Sequence, residues 1–185
     1  MKAALLQMVS STDAATNLDT AERLVAQAAQ AGAELAVLPE YFCLLGQHDT
    51  DKLAIAEAFG DGPMQQRLAA MAKAYGVCLV AGTLPLAVPG DSSHVRNTTL
   101  VYSAQGHCVA RYDKIHLFCF DNGRESYDES VVLQAGDTPV VMDLLSKDGH
   151  TWRIGLSVCY DLRFPQLYKQ LVQQGAELLL APSAF

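Results

Sequence analysis

A chain of 185 residues, half of them hydrophobic, can bury a sizeable core as one domain (1–185) and is too apolar for a disordered segment. Its formal net charge of -7 argues against nucleic acid or an anionic membrane as the main partner, since either calls for a basic face, and favours a small molecule. The five cysteines (Cys43, Cys78, Cys108, Cys119 and Cys159) are odd in number and form no CxxC pair, which fits a reducing, cytoplasmic compartment without a disulfide framework and gives no support to zinc bound by cysteine pairs.

In chain order, Ala3 to Val9 is a short apolar run expected to open the fold as a buried strand. It is interrupted by Gln7 and has no small-residue cleavage site after it, so it does not fit a signal peptide. No apolar stretch is long enough to span a bilayer. Leu18, Ala21, Leu24, Val25, Ala28 and Ala29 recur at helical spacing, with Asn17 or an earlier Ser, Thr or Asp as cap and Gly32 as the stop. Glu34 to Leu38 is then a buried strand ending at Pro39-Glu40. Gly62-Pro63 starts a second helix through Tyr75-Gly76, and Val77 to Ala81 is another strand.

Asn97 to Ser103 and Cys108 to Tyr112 flank a Gln105-Gly106 turn and read as an antiparallel hairpin. The long stretch from Asp113 to Gln134 mixes charges with aromatics, as functional loops do. Val140 to Leu144 and Trp152 to Val158 read as strands joined at Lys147-Asp148-Gly149; a helix over Phe164 to Gln174 and a strand over Glu177 to Leu180 close the chain. Strand and helix alternate at both ends around a hairpin region, which predicts an α/β protein with mixed sheets. The segment Gly32 to Pro39 is echoed by Gly175 to Pro182, a helix-strand-Pro unit used twice.

Three positions carry candidate chemistry. Cys159 ends an apolar strand just before Asp161 and Pro165, which read as cap and first turn of a new helix whose dipole favours the thiolate. The competing reading is a small core hydrophobe. Glu40 follows a buried strand at the sheet end where open α/β sheets place ligands, or else is a solvated loop acid. Lys114 lies among Tyr112, Ile115, Leu117 and Phe118, or else snorkels to the surface. The five histidines fall mostly in polar or turn-like stretches, where a solvated histidine is the favoured reading.

Taken together, Leu38-Pro39-Glu40-Tyr41-Phe42, Tyr112-Asp113-Lys114-Ile115-His116-Leu117-Phe118 and Ser157-Val158-Cys159-Tyr160-Asp161-Leu162-Arg163-Phe164-Pro165 resemble, in order, the three signature segments of the nitrilase, or carbon-nitrogen hydrolase, superfamily. The resemblance implies an αββα sandwich and a catalytic triad of Glu40, Lys114 and Cys159. Tyr127-Asp128-Glu129-Ser130, followed by Gly136, is similar to the segment of a second glutamate, so Glu129 is the fourth candidate, with Glu125 as its competitor. The triad segments resemble the omega-amidase and deaminated-glutathione amidase branch. That branch implies hydrolysis of a small carboxylate-bearing amide through a cysteine thioester, with release of ammonia and no metal or organic cofactor. Tyr41, Phe42, Phe118, Phe120 and Tyr160 are candidate pocket residues, with the core as the equal alternative for each. Arg163 either binds a substrate carboxylate or pairs structurally, with Asp161 as one partner.

Members of the superfamily continue beyond the position of Phe185 and build homodimers or higher homo-oligomers, so a sandwich incomplete at the C-terminus is expected. The alternatives to an amidase are a catalytically silent remnant serving as an interaction module and an N-carbamoyl amide hydrolase of the same superfamily.

Overall fold

The computed structural model describes residues 1–184. In chain order its elements are β1 (Ala3–Leu5), α1 (Ala14–Gln30), β2 (Leu35–Val37), a single-turn α2 (Asp51–Ala54) and α3 (Pro63–Tyr75). Then come β3 (Cys78–Val80), β4 (Leu84–Val88), β5 (Asp91–Tyr102), β6 (Cys108–Asp113) and the small hairpin β7 (Cys119–Asp121) and β8 (Ser126–Asp128). The last four are β9 (Val141–Leu145), β10 (Thr151–Leu156), α4 (Pro165–Gln173) and β11 (Leu178–Leu180).

Strand periodicity builds the layers, because successive side chains leave a strand on opposite faces. Ala36, Leu38, Leu79, Ala81, Leu100 and Tyr102 pack with Leu18, Val25, Leu68 and Met71 of α1 and α3. Their neighbours Leu35, Val37, Cys78, Val80 and Val101 turn the other way and meet Met142, Ile154 and Leu156 of the second sheet. Helix α4 covers the far face of that sheet, where a Cβ on Gly155 would press on Leu171. The order is therefore helix, sheet, sheet, helix.

Both sheets are mixed, as expected. In the first, β1, β2 and β3 are parallel, and β3 joins β5 antiparallel, with β4 and β6 also antiparallel to β5. In the second, β10 is parallel to β11 and antiparallel to β9.

Several expectations change in detail. The opening strand stops at Leu5, short of Val9. Asp13 caps α1, its carboxylate accepting the Thr16 N–H at 2.7 Å. Asn17 is instead buried inside the first turn, donating to the Cys43 carbonyl at 2.9 Å. Strand β4 was not anticipated; it contains Pro85, which has no ladder donor and suits the edge position that β4 occupies. The stretch from Asp113 to Gln134 carries the β7–β8 hairpin and is not a bare loop. The repeated unit is real in three dimensions, since α1–β2 and α4–β11 each end through a glycine at positive φ and add a parallel strand. Among the described residues no helix is long and apolar enough to cross a membrane.

Candidate active site

Glu40, Lys114 and Cys159 each follow the C-terminal end of a strand of the two packed sheets, and Glu129 follows the small β7–β8 hairpin. Glu40 follows β2, and only 3% of it is exposed. The chain can turn there because Gly82, at φ +38, lies against the Pro39 carbonyl, where any Cβ would collide. Tyr41 takes φ +54, a conformation unusual for a residue with a side chain, and its N–H donates to the Thr83 hydroxyl at 2.9 Å. Lys114 follows β6 and is 1% exposed. Its backbone is held on both sides, the N–H by the Asn97 carbonyl at 2.9 Å and the carbonyl by the Gly136 N–H at 2.8 Å. Gly136 needs its missing Cβ to come this close, since a side chain there would meet the Asp113 carbonyl.

Glu129 begins a short 3-10 turn just after β8, with Asp128 as its cap. Cys159 follows β10 at φ +46; among the described residues it and Tyr41 are the only non-glycines at positive φ. Both strained residues thus belong to the site, one as its cysteine and one directly after Glu40. The Cys159 N–H donates to the Pro182 carbonyl at 3.0 Å, so the second helix-strand-Pro unit supports the turn.

The polar groups converge on the Lys114 ammonium. Its Nζ donates to Glu40 Oε1 at 3.0 Å and to Glu129 Oε2 at 2.8 Å and Oε1 at 3.1 Å. Glu40 Oε1 also accepts from Asn97 Nδ2 at 2.9 Å, and its Oε2 from the Ala184 N–H at 3.0 Å. Glu129 takes the Tyr41 hydroxyl at 2.8 Å and the Phe118 N–H at 2.8 Å. Burial alone would lower the Lys114 ammonium, but the two carboxylates outweigh it and hold its pKa above the usual value. Burial, with the Glu129 and Glu40 charges, pushes the Tyr41 phenol well up, so it stays a neutral donor.

The cysteine corrects the expectation of a dipole-stabilised thiolate. Burial first, then the charge and hydrogen bonding of Glu40, push the Cys159 thiol up to about 11, and the Lys114 ammonium only partly opposes them. The helix geometry agrees. Cys159 begins a five-residue 3-10 turn, while α4 starts only at Pro165. Asp161 does not cap α4 either. It is fully buried, and its carboxylate accepts from the Val158 N–H at 2.8 Å, the Tyr112 hydroxyl at 2.6 Å and the His116 N–H at 3.0 Å. It is therefore no partner for Arg163, which makes no ion pair among the described residues. His116 is not a solvated histidine: Nδ1 lies 2.7 Å from Asp161, and its ring stacks on Phe164 with centroids 3.7 Å apart.

Glu40, Lys114, Glu129 and Cys159 share one cavity of about 410 Å³, whose other walls include Tyr41, Phe118, Tyr160 and Arg163. Leu162 and Ala184 line it too and were not foreseen. Phe42 is fully buried in the first core and Phe120 stacks on Phe118 outside the cavity, so neither is a wall residue. Glu125 does not touch the cluster; its backbone belongs to the hairpin turn with Asn122. A hollow of similar size, about 400 Å³ between β1 and β11, is lined by Leu5, Leu6, Val37 and Leu179 without any titratable side chain. Among the described residues no group of His, Cys, Asp or Glu is placed to hold a metal ion.

Fold and site together define an αββα protein of the nitrilase type, with a buried Glu-Lys-Glu cluster facing a neutral thiol. Residues 2–184 match the carbon-nitrogen hydrolase family, and the chain belongs to it. It is 39% identical over 184 residues to the deaminated glutathione amidase of Synechocystis sp., covering 99% of this chain and 66% of that protein. It is 34% identical over 185 residues to the chloroplastic omega-amidase of Arabidopsis thaliana, covering 98% and 48%. Among solved structures, the C. elegans NitFhit protein superposes with a TM-score of 0.85 at 31% identity, covering 99% of this chain and 43% of that one. An amidase mutant from Nesterenkonia sp. AN1, bearing acrylamide added at its active-site cysteine, gives 0.81 at 29% identity, covering 100% and 67%. The chain thus spans about two thirds or less of the length of these curated relatives.

Proposed function

We propose that this protein hydrolyses the carbon-nitrogen bond of a small carboxylate-bearing amide through a thioester on Cys159. The observation that carries the reading is the convergence of Glu40, Lys114 and Glu129 with a protonated thiol in one cavity. A thiol that stays neutral at physiological pH needs a base, and Glu40 is the carboxylate beside it. Glu40 takes the thiol proton as sulfur attacks the amide carbon. The oxyanion that forms meets the Lys114 ammonium and the N–H of Tyr160, which donates to no described backbone carbonyl outside its own short turn. Glu40 then passes its proton to the nitrogen, the carbon-nitrogen bond breaks and ammonia leaves. Water attacks the thioester with Glu40 as base, the carboxylic acid departs, and Glu40 returns the proton to sulfur. Glu129 fixes the ammonium through both of its oxygens.

The relatives' names, omega-amidase and deaminated glutathione amidase, support an amide whose substrate also carries a carboxylate. Arg163, an unpaired cation on the cavity wall, is the group suited to that carboxylate. The acrylamide adduct of the Nesterenkonia enzyme supports entry of small amides toward the cysteine. Ammonia release from the monoamide of succinic acid, with intact-mass detection of an acyl group on Cys159, tests the proposal. Absence of release, or release that persists in Cys159→Ala, would refute it.

A further inference from the structure

Asn97 takes no part in the steps above, yet it touches two of the residues that do. Its backbone carbonyl accepts the Lys114 N–H at 2.9 Å, and its side-chain Nδ2 donates to Glu40 Oε1 at 2.9 Å. One residue of β5 therefore ties the segment carrying the carboxylate to the segment carrying the ammonium. Asn97 is 2% exposed, and its Oδ1 has no hydrogen-bond partner among the described residues. Turning the amide over would not relieve that oxygen, because it would then face the carboxylate of Glu40. A buried carbonyl without a partner is a cost to folding, and a native chain rarely retains one without a use. The next two residues of the strand satisfy theirs: Thr98 donates to Asp113 and Thr99 to the Gly82 carbonyl, each at 2.6 Å. An apolar residue of equal size would avoid the defect and forgo only the bond to Glu40.

We propose that Asn97 is the positioning residue of the general base. It and Lys114 pin Glu40 Oε1, which leaves Oε2, held otherwise only by the Ala184 N–H, as the oxygen that exchanges a proton with the cysteine. The role rests on the amidase reading for its catalytic meaning, but the positioning itself has an independent readout.

The test uses Asn97→Leu, which keeps the volume and removes the donor, and Asn97→Ser, which cannot overpack. With succinic acid monoamide, kcat falls 10- to 100-fold in Asn97→Leu while KM stays within twofold. The thermal midpoint holds or rises, because the unpartnered carbonyl is gone. Residue-resolved alkylation by iodoacetamide reads the thiol without any turnover. With the carboxylate no longer pinned against it, the pH midpoint of Cys159 moves down by half a unit or more, toward that of Glu40→Gln. Unchanged kcat and an unchanged alkylation midpoint in both variants would overturn the proposal, and so would a kcat loss matched by a lowered thermal midpoint, the mark of a merely structural residue. A parent chain that releases no ammonia counts against the amidase reading, whereas the alkylation midpoint still decides for or against Asn97.

Discussion

Replacing Glu40 by glutamine keeps the shape of the site and removes one charge, with opposite effects on the thiol and on turnover. With a midpoint of about 11, roughly one Cys159 in 10,000 is ionised at pH 7. After burial, the causes that raise this midpoint are the charge and hydrogen bonding of Glu40, and the opposing influences are a backbone hydrogen bond at Ala184 and then the Lys114 ammonium. Without the carboxylate the two causes by which Glu40 raises the thiol are gone while both lowering causes remain, so its midpoint falls, and a fall of one unit multiplies the thiolate about tenfold. If thiolate supply limited the reaction, Glu40→Gln would be the faster enzyme. The proposed mechanism needs Glu40 twice more, to protonate the departing nitrogen and to activate water. Loss of general acid-base catalysis slows a reaction by roughly 10²- to 10⁴-fold.

The two measurements therefore move apart in Glu40→Gln. Alkylation of Cys159 by iodoacetamide, followed peptide by peptide across pH, shifts to lower pH, while ammonia release collapses. Cys43 and Cys78, which burial holds at about 12, serve as protected controls in the same digest. A Glu40→Gln protein that turns over within tenfold of the parent would refute the assignment of Glu40 as acid and base. A Cys159 midpoint that rises would refute the electrostatic account of the thiol.

Three further substitutions probe the supports and the wall of the site. Asp161→Asn leaves the Tyr112, Val158 and His116 donors with a poorer, uncharged acceptor; urea denaturation should show a loss of about 3 kcal/mol, in the range for breaking a buried charged network. Gly82→Ala places a Cβ on the Pro39 carbonyl at a positive φ; we expect a loss of roughly 2 kcal/mol or more in the same assay, with turnover reduced in whatever remains folded because Glu40 follows Pro39. Arg163→Gln should raise KM for succinic acid monoamide about tenfold with kcat nearly unchanged, the pattern for lost uniform binding, and leave the hydrolysis of butanamide alone. An equal effect on both amides would remove Arg163 from carboxylate recognition.

The parts of the site that were legible in the sequence are those written in contiguous letters. Glu40 and Cys159 each stand at the end of an apolar run and Lys114 at the end of a hairpin strand, so the strand pattern marks the backbone while the motif marks the side chain. Glu129 follows a hairpin whose strands are only three residues each, too short to show a period, and it was found through its resemblance to a family segment. Asn97 and Glu40 meet across 57 positions, which no local pattern encodes. Asp161 has a helix-cap spelling because an acid just before a proline-initiated helix usually serves as one; tertiary partners from β6 and the following loop claim it instead. Tyr41 and Phe42 were indistinguishable as adjacent aromatics. The positive φ at Tyr41 separates them, sending the tyrosine to the cavity and the phenylalanine to the core.

These local exceptions share one location and a common logic. Sequences generally satisfy propensity, packing and polar pairing together, and departures from that agreement concentrate where function is built. At the site the departures are two residues at positive φ, a buried ammonium between two carboxylates and an asparagine oxygen without a partner among the described residues; Trp152 Nε1 in β10, also without one, lies away from the cavity. Each is held by the scaffold: Tyr41 by Thr83, the Cys159 turn by Pro182 and Asp161, and the charges by one another. A thiolate resting in this cavity would be open to oxidation, since ionised, accessible thiols are the susceptible ones. In the proposed mechanism the sulfur rests protonated beside a fixed carboxylate and becomes a nucleophile only as Glu40 takes its proton during attack on the amide carbon. Asn97 Nδ2 and Lys114 Nζ keep that carboxylate fixed by donating to its Oε1.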